Sequence, residues 1–334
     1  MKTSVLIDEM RLAEVRPDQV AKRYEELRRA EAAHLLQNPS TRWVGRATPT
    51  RSCKPGPAFM SDGLSFHHCP DCGSIFASPV PVQEELDRLA RDGEAARWRR
   101  DYFGQRFSEK QRQAIHAPIV RWAQEVIDEY GLTEPRTALV GNDETGLATS
   151  LNANGRLGQM VLTERVSGQP APDGAVEMAA SELSAAAFDL VFDMGSLERV
   201  ADPERRLALW SELVAPGGFL AITTSMASGL EYRVLGPKAA SFIALDRLTL
   251  YSVPALTEQL ALFGFEVVEF STPGRLDVEV LEQAFADGAP SDDPLDFWTH
   301  ALKHGGEDFK TDLQRLLQRH RFSSFARVLA RKVG

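Results

Sequence analysis

The spacing of apolar residues changes character three times along the chain. After Pro17, Val20, Tyr24, Leu27 and Ala30 recur at helical intervals, which predicts an amphipathic helix over 18–36. From 38 to 81 the periodicity lapses into Pro, Gly, Ser and Thr, with short strands predicted around FMSDGLSFHHC and SIFAS. Helical spacing returns over 82–130, with Ser108 and Glu109 as a start signal, a restart at Pro118 and a stop at Gly131. From 136 onward, short apolar runs bounded by turn residues alternate with helical or polar segments. They are TALVG (137–141), QMVLTE (159–164), FDLVFDMG (188–195) and GGFLAITTS (217–225), with VEM (176–178) weaker. A helix, ALTEQLALFG, and a strand, FEVVEF, follow Pro254. Such alternation predicts an α/β fold with a parallel sheet covered on both faces.

These regimes give four segments: an N-terminal helix (1–37), a small loop-rich module (38–81), a helical connector (82–131) and the alternating α/β domain (132–334). Composition adds exclusions. The 334 residues carry a formal net charge of −9, which repels phosphate backbones and argues against nucleic acid as a partner. The opening MKTSVLIDEMRLAEVRPD has no signal-peptide core, and no apolar run approaches membrane-spanning length, so the expectation is a cytoplasmic protein with no membrane partner. Three cysteines, Cys53, Cys69 and Cys72, are too few and too uneven for a disulfide framework. The basic tail after Asp312 reads as a solvated helix face and then a last strand, SFARVLARK, with outward arginines.

In an open parallel sheet the ligand sits beyond the carboxyl ends of the strands. The loop after TALVG, bounded by Gly141 and Gly146, should face it, and the second strand ends in Glu164, about 20 residues on, where an acid accepts ribose hydroxyls. The runs FDLVFDMGSLERVADPERRL, WSELVAPGGFLAITT and LTLYSVPALTEQLALFGFEVVEF then follow in order. With them the chain resembles the class I S-adenosylmethionine-dependent methyltransferases. STPGRLDVEVLEQAF, RFSSFARVLARK and CPDCGSIFASPVP narrow the resemblance to a subgroup with an N-terminal zinc ribbon, often linked to sugar or polysaccharide modification.

The resemblance implies a Rossmann-like seven-stranded sheet whose last strand, SFARVLARK, runs antiparallel between the fifth and sixth. It also implies a helical excursion over 275–320 across the active-site side. Gly141, Asn142, Asp143, Gly146 and Glu164 would hold S-adenosylmethionine, and Asp193 and Met194 would line its pocket. The excursion, with Arg199 and Tyr251, would cover a small or sugar-like acceptor, and the planar guanidiniums of Arg199 and Arg247 suit a phosphate or carboxylate on it.

The chain departs from that pattern where chemistry happens. Leu139 replaces the usual acid, the central loop glycine is missing, and Asp143 and Glu144 add charge beside a ligand that carries its own carboxylate. Arg199, Arg247 and Phe325 stand where relatives often have His. Glu198, Asp246 and Tyr251 remain as proton-handling candidates, and Glu198, Arg199 and Tyr251 form the candidate catalytic set. Only one C-x-x-C knuckle survives, so a zinc set would comprise Cys53, Cys69, Cys72 and His67, short of the usual closed site; the other reading is a ribbon held by its own small core. Two functions therefore stand open. One is a methyltransferase acting on a small, sugar-like or anionic acceptor. The other is a non-catalytic or repurposed methyltransferase-like protein that partners an active enzyme, an active paralogue or another copy of itself.

Overall fold

The computed structural model describes residues 1–4, 18–50, 54–165, 171, 174–239, 242–273, 276–288 and 296–334. Helix α1 (Asp18–Gln37) leads into β1 (Trp43–Val44), then β2 (Ala58–Ser61), β3 (Leu64–His68), β4 (Ile75–Ala77) and β5 (Val80–Pro81). The β2–β3 hairpin turns through Asp62 and Gly63, both at positive φ (47° and 81°), as a tight two-residue hairpin demands. Three helices follow: α2 (Gln83–Asp92), α3 (Glu94–Asp101) and α4 (Glu109–Tyr130). Ser108 caps α4 in a capping box with Gln111, and Gly131 closes it in the left-handed conformation (φ 63°). Pro118 does not restart the helix as its sequence suggested. It sits inside one continuous α4, where the turn it weakens is offset by the buried face of Trp122, Ala123, Val126 and Ile127.

The remaining elements are β6 (Thr137–Val140), α5 (Leu147–Asn152), β7 (Met160–Thr163), β8 (Ala175–Glu177), β9 (Phe188–Met194), α6 (Pro203–Leu213), β10 (Val214–Ser225), α7 (Leu230–Leu235), β11 (Thr249–Leu250), α8 (Val253–Leu262), β12 (Phe265–Ser271), α9 (Leu276–Ala286), α10 (Phe297–His304), α11 (Gly306–His320) and β13 (Phe325–Lys332). Seven strands make one sheet in the order β12-β13-β10-β9-β6-β7-β8. β6, β7, β8, β9 and β10 run parallel, and β13 lies antiparallel between β10 and β12, where SFARVLARK was expected.

Alternate strand residues feed opposite faces of this sheet. Ala138, Val140, Val191, Leu220, Ile222 and Val328 pack beneath Trp210, Leu256 and Leu260. Leu139, Leu162, Phe192, Phe219 and Leu329 pack against Trp122, Val126, Ile127 and Leu151. Trp210 is completely buried, and removing such a side chain costs about 3–5 kcal/mol.

The loop-rich module is not self-contained. Its sheet runs β11-β4-β3-β2, so Thr249 and Leu250 of the α/β domain supply the outer strand by pairing with Phe76 and Ile75. Phe59, Phe66 and Phe242 join the two parts through ring centroids 5.1–5.6 Å apart. From the N-terminal helices, Arg99 of α3 reaches Glu144 in the loop after β6 at 2.7 Å. No helix among the described residues is long and apolar enough to cross a membrane.

Candidate functional site

A cavity of about 1140 Å³ opens beyond the carboxyl ends of the parallel strands. It lies where the chain's progression reverses, since β7 and β8 extend the sheet on one side of β6 while β9 and β10 extend it on the other. Gly141, Asn142 and Glu144 line it from the loop after β6, Glu164 from the end of β7, and Met194 from the end of β9. Met178 and Ala179, directly after β8, line it too. The sequence reading missed them, although their place at a strand's carboxyl end was a usable signal. The opposite wall comes from Tyr24 and Arg28 of α1, Arg46, Arg99 of α3, and Arg199, Asp246 and Tyr251. The volume exceeds the range of about 300–1,000 Å³ for ordinary ligand pockets, so two ligands can sit side by side.

The loop after β6 is built without its central glycine. Gly141 (φ 93°) and Gly146 (φ 79°) adopt left-handed torsions, whereas Asn142, Asp143, Glu144 and Thr145 do not. Side chains are therefore tolerated at all four intervening positions. The two acids are also neutralised locally. The Asp143 carboxylate accepts from Leu147 N at 2.7 Å and Ala148 N at 3.0 Å, capping α5. Burial raises its pKa above the ordinary carboxyl value, and the main-chain donors of α5 offset part of that rise. Glu144 forms an ion pair with Arg99 at 2.7 Å. Thr145 is held from behind by α4: its hydroxyl lies 3.0 Å from His116 Nε2, and its carbonyl accepts from Arg112. His116 Nδ1 lies 2.6 Å from Ser150 Oγ in α5. Burial, with the Arg112 charge beside it, lowers the His116 pKa to about 4, so the ring is neutral near pH 7.

On the opposite wall, Asp246 is nearly fully buried and anchors a cationic cluster. Arg28 meets it at 2.8 Å and Tyr24 donates to it at 2.8 Å. Burial opposes ionisation of Asp246, but Arg28, Arg199 and Arg99 outweigh it and hold its pKa well below the usual carboxylate range. Arg28 also pairs with Glu31 at 3.0 Å. Burial pushes Tyr251 in the other direction, above the ordinary phenol value. The sequence did not single out Arg28, Arg46 or Arg99, because nothing local distinguishes them from surface residues, and Tyr24 entered only as part of the apolar face of α1.

Several other candidates are engaged in structure. Glu198 does not line the cavity: it accepts from Thr224 Oγ1 at 3.0 Å, from Ser225 N, and from Arg247 Nε at 3.3 Å. Arg247 is thus committed to Glu198. Asp193 is buried and accepts from Ser196 N and Trp210 Nε1, each at 3.0 Å, while its neighbour Met194 faces the cavity. The described part of the 275–320 excursion does not cover the cavity either. Val278, Leu281, Leu302 and Leu317 bury their apolar faces against Leu230 instead, and the cover comes from α1 to α3.

At the knuckle, Cys69 Sγ accepts from Cys72 N at 3.4 Å and the Cys72 thiol donates to Ser74 Oγ at 3.3 Å. His67 stacks on Phe76 with its Nε2 3.4 Å from Ser78 O, and Cys53 lies outside the described residues. Among the described residues no group of three or more His, Cys, Asp or Glu side chains is placed to hold a metal ion.

A family described as methyltransferase domain matches residues 118–270. No curated protein matches the chain. Similar solved structures include phosphoethanolamine N-methyltransferase 2 of Haemonchus contortus in complex with S-adenosyl-L-methionine, at 14% identity and a TM-score of 0.45, covering 78% of this chain and 63% of that one. Another is 1,6-didemethyltoxoflavin-N1-methyltransferase of Burkholderia thailandensis, solved with 1,6-didemethyltoxoflavin and S-adenosylhomocysteine, at 12% identity and a TM-score of 0.44, covering 84% of this chain and all of that one (100%). The α/β sheet described above, with β13 antiparallel between β10 and β12, has the order of the Rossmann-like methyltransferase fold.

Proposed function

We propose that this protein is an S-adenosylmethionine-dependent methyltransferase acting on a small acceptor, sugar-like or anionic. The observation that supports it is a single cavity joining a glycine-bounded loop and Glu164 on one side to a polar, arginine-rich wall on the other. Gly141 and Asn142 would present main chain and amide to the cofactor, Glu164 would accept its ribose hydroxyls, and Met194, Met178 and Ala179 would form the apolar floor. The cofactor, when bound, supplies an electrophilic methyl group on a sulfonium centre. The two loop acids are compatible with it, because Asp143 is turned into α5 and Glu144 is paired with Arg99.

The acceptor side shapes the expected chemistry. Tyr251 is held protonated by burial and Asp246 is held ionised by three arginines, so neither is poised to exchange a proton near neutrality. That wall suits an acceptor whose reacting atom is already nucleophilic, with the protein supplying position rather than a base. The same observation favours a second reading, a binding-only protein that partners an active enzyme or another copy of itself.

Calorimetric titration with S-adenosylmethionine and S-adenosylhomocysteine tests the first reading. A Kd below about 100 μM is expected. Absence of heat at millimolar ligand would overturn it. Binding without methyl consumption across an acceptor panel would favour the second.

A further inference from the structure

Most buried cations around the cavity already have an anion. Arg28 holds Asp246 and Glu31, Arg99 holds Glu144, and Arg165 holds Glu177 at 2.6 Å. Apart from the exposed Arg205, two cavity-lining guanidiniums differ: among the described residues, Arg46 and Arg199 have no carboxylate within ion-pair distance, although Arg199 stands in the field of Asp246.

Arg46 is anchored on neutral groups alone. Its Nε donates to Ala201 O at 2.9 Å, one terminal nitrogen to Leu248 O at 2.8 Å and the other to Thr249 Oγ1 at 2.6 Å. Three of the five N–H groups are spent on fixing the plane, which leaves one on each terminal nitrogen. Burial makes the charged form costly enough to lower the Arg46 pKa to about 10, and the nearby Tyr251 and Asp202 offset only part of that cost. Ala201, where Arg46 is anchored, lies two residues beyond Arg199, whose Nε is buried without a hydrogen-bond partner. Both side chains line the cavity.

We propose that Arg46 and Arg199 form an oxyanion subsite, so that the acceptor carries a phosphate or carboxylate that completes the ion pairing on this wall. The word acceptor rests on the methyltransferase reading, whereas the subsite itself does not. A guanidinium with its plane fixed by its hydrogen bonds is preorganised for a planar or tetrahedral oxyanion, and the ligand then brings a counter-charge into direct contact, where Asp202 and Asp246 act only from beyond ion-pair distance. Arg46 bridges the loop-rich module and the α/β domain, so the subsite lies at the seam where β11 joins the two.

The test is titration of inorganic phosphate, pyrophosphate and malonate into the full chain at constant ionic strength, with and without saturating S-adenosylhomocysteine. Variants Arg46→Gln, Arg46→Lys and Arg199→Gln are compared with wild type. At least one oxyanion is expected to bind, with about tenfold or greater weakening in Arg46→Gln and Arg199→Gln and a smaller loss in Arg46→Lys, which keeps the charge without the fork. A response to phosphate or pyrophosphate alone assigns a phosphorylated ligand, and one to malonate assigns a carboxylated one. S-adenosylhomocysteine affinity should stay within about twofold in every folded variant, which separates the subsite from a general loosening of the cavity. If Arg46→Gln does not fold, Arg46→Lys and Arg199→Gln carry the comparison. The proposal is overturned if no probe binds wild type at about 10 mM, a concentration at which even a weak oxyanion site fills. It is also overturned if the variants bind as wild type does. Failure of S-adenosylhomocysteine to bind wild type would remove the methyltransferase reading and leave the oxyanion titration standing by itself.

Discussion

The Arg99–Glu144 pair carries a quantitative test of how the glycine-bounded loop is held. It spans 2.7 Å between α3 and the loop, with side chains 25% and 12% exposed. The Arg99 guanidinium also lies 5.5 Å from the Tyr24 ring and 5.5 Å from the Phe103 ring. Arg99→Met keeps most of that packing and strands the Glu144 carboxylate. Breaking a fully buried pair costs about 3–5 kcal/mol, and the residual exposure here reduces that to about 2–3 kcal/mol. Glu144→Gln should cost less, about 1–2 kcal/mol, because an amide still accepts from Arg99. In the double variant the two losses should not add, with a coupling of about 1–2 kcal/mol by urea denaturation. Binding should follow the same logic. Arg99→Met leaves an unpaired negative charge in the loop and should weaken S-adenosylhomocysteine about tenfold, with recovery in the double variant. Additivity within about 0.3 kcal/mol, together with unchanged affinity in Arg99→Met, would refute the claim that this pair neutralises the loop.

Two further perturbations probe the same loop. Gly141→Ala should lose about 1–2 kcal/mol from the left-handed torsion (φ 93°) alone, because the added Cβ would meet Ser196 Cβ at an ordinary 3.5 Å. Asn142→Gly should not stabilise the protein, since the torsion at 142 needs no glycine; a gain above about 0.5 kcal/mol in urea melts would show that the loop is strained there. His116 has a folded pKa of about 4, below its ordinary 6.5, so the neutral ring's contribution is complete above pH 6.5 and is lost as pH falls towards 4. His116→Gln should flatten the stability profile across that window, and an unchanged acid slope would show that the ring does not report the latch on Thr145.

The sheet was legible because buried parallel strands read as short apolar runs closed by glycine or an acid, as in TALVG and QMVLTE. β8 was faint because it is a three-residue edge strand with two exposed positions. β11 could not be read at all: two residues pair with β4 across about 170 positions, and no local pattern encodes a partner that distant. Pro118 misled because a proline within a helix is read as a boundary when the tertiary packing that holds the helix through it is unseen.

The site divides along the same line. Gly141, Asn142, Glu164 and Met194 follow from one rule about strand ends, and the cavity brings them together. Glu198 and Asp193 were equally plausible by position, but Arg247 and Trp210 occupy them, and those partners cannot be inferred from spacing. The loop shows the difference most clearly. Read alone, a missing glycine and two added acids look like erosion of a binding site. In the fold, Asp143 caps α5, Glu144 answers Arg99, and Thr145 is gripped by Arg112 and His116. Glycines let a loop approach its ligand through torsional freedom, whereas this loop is fixed by side chains from α3 and α4 and by the main-chain amides of α5. Three of the four grips on it come from residues 99–116, outside the strands that define the fold. The departures in the loop and the polar residues of the helical connector therefore form one device, and a change in either half should be judged by whether the other half still answers it.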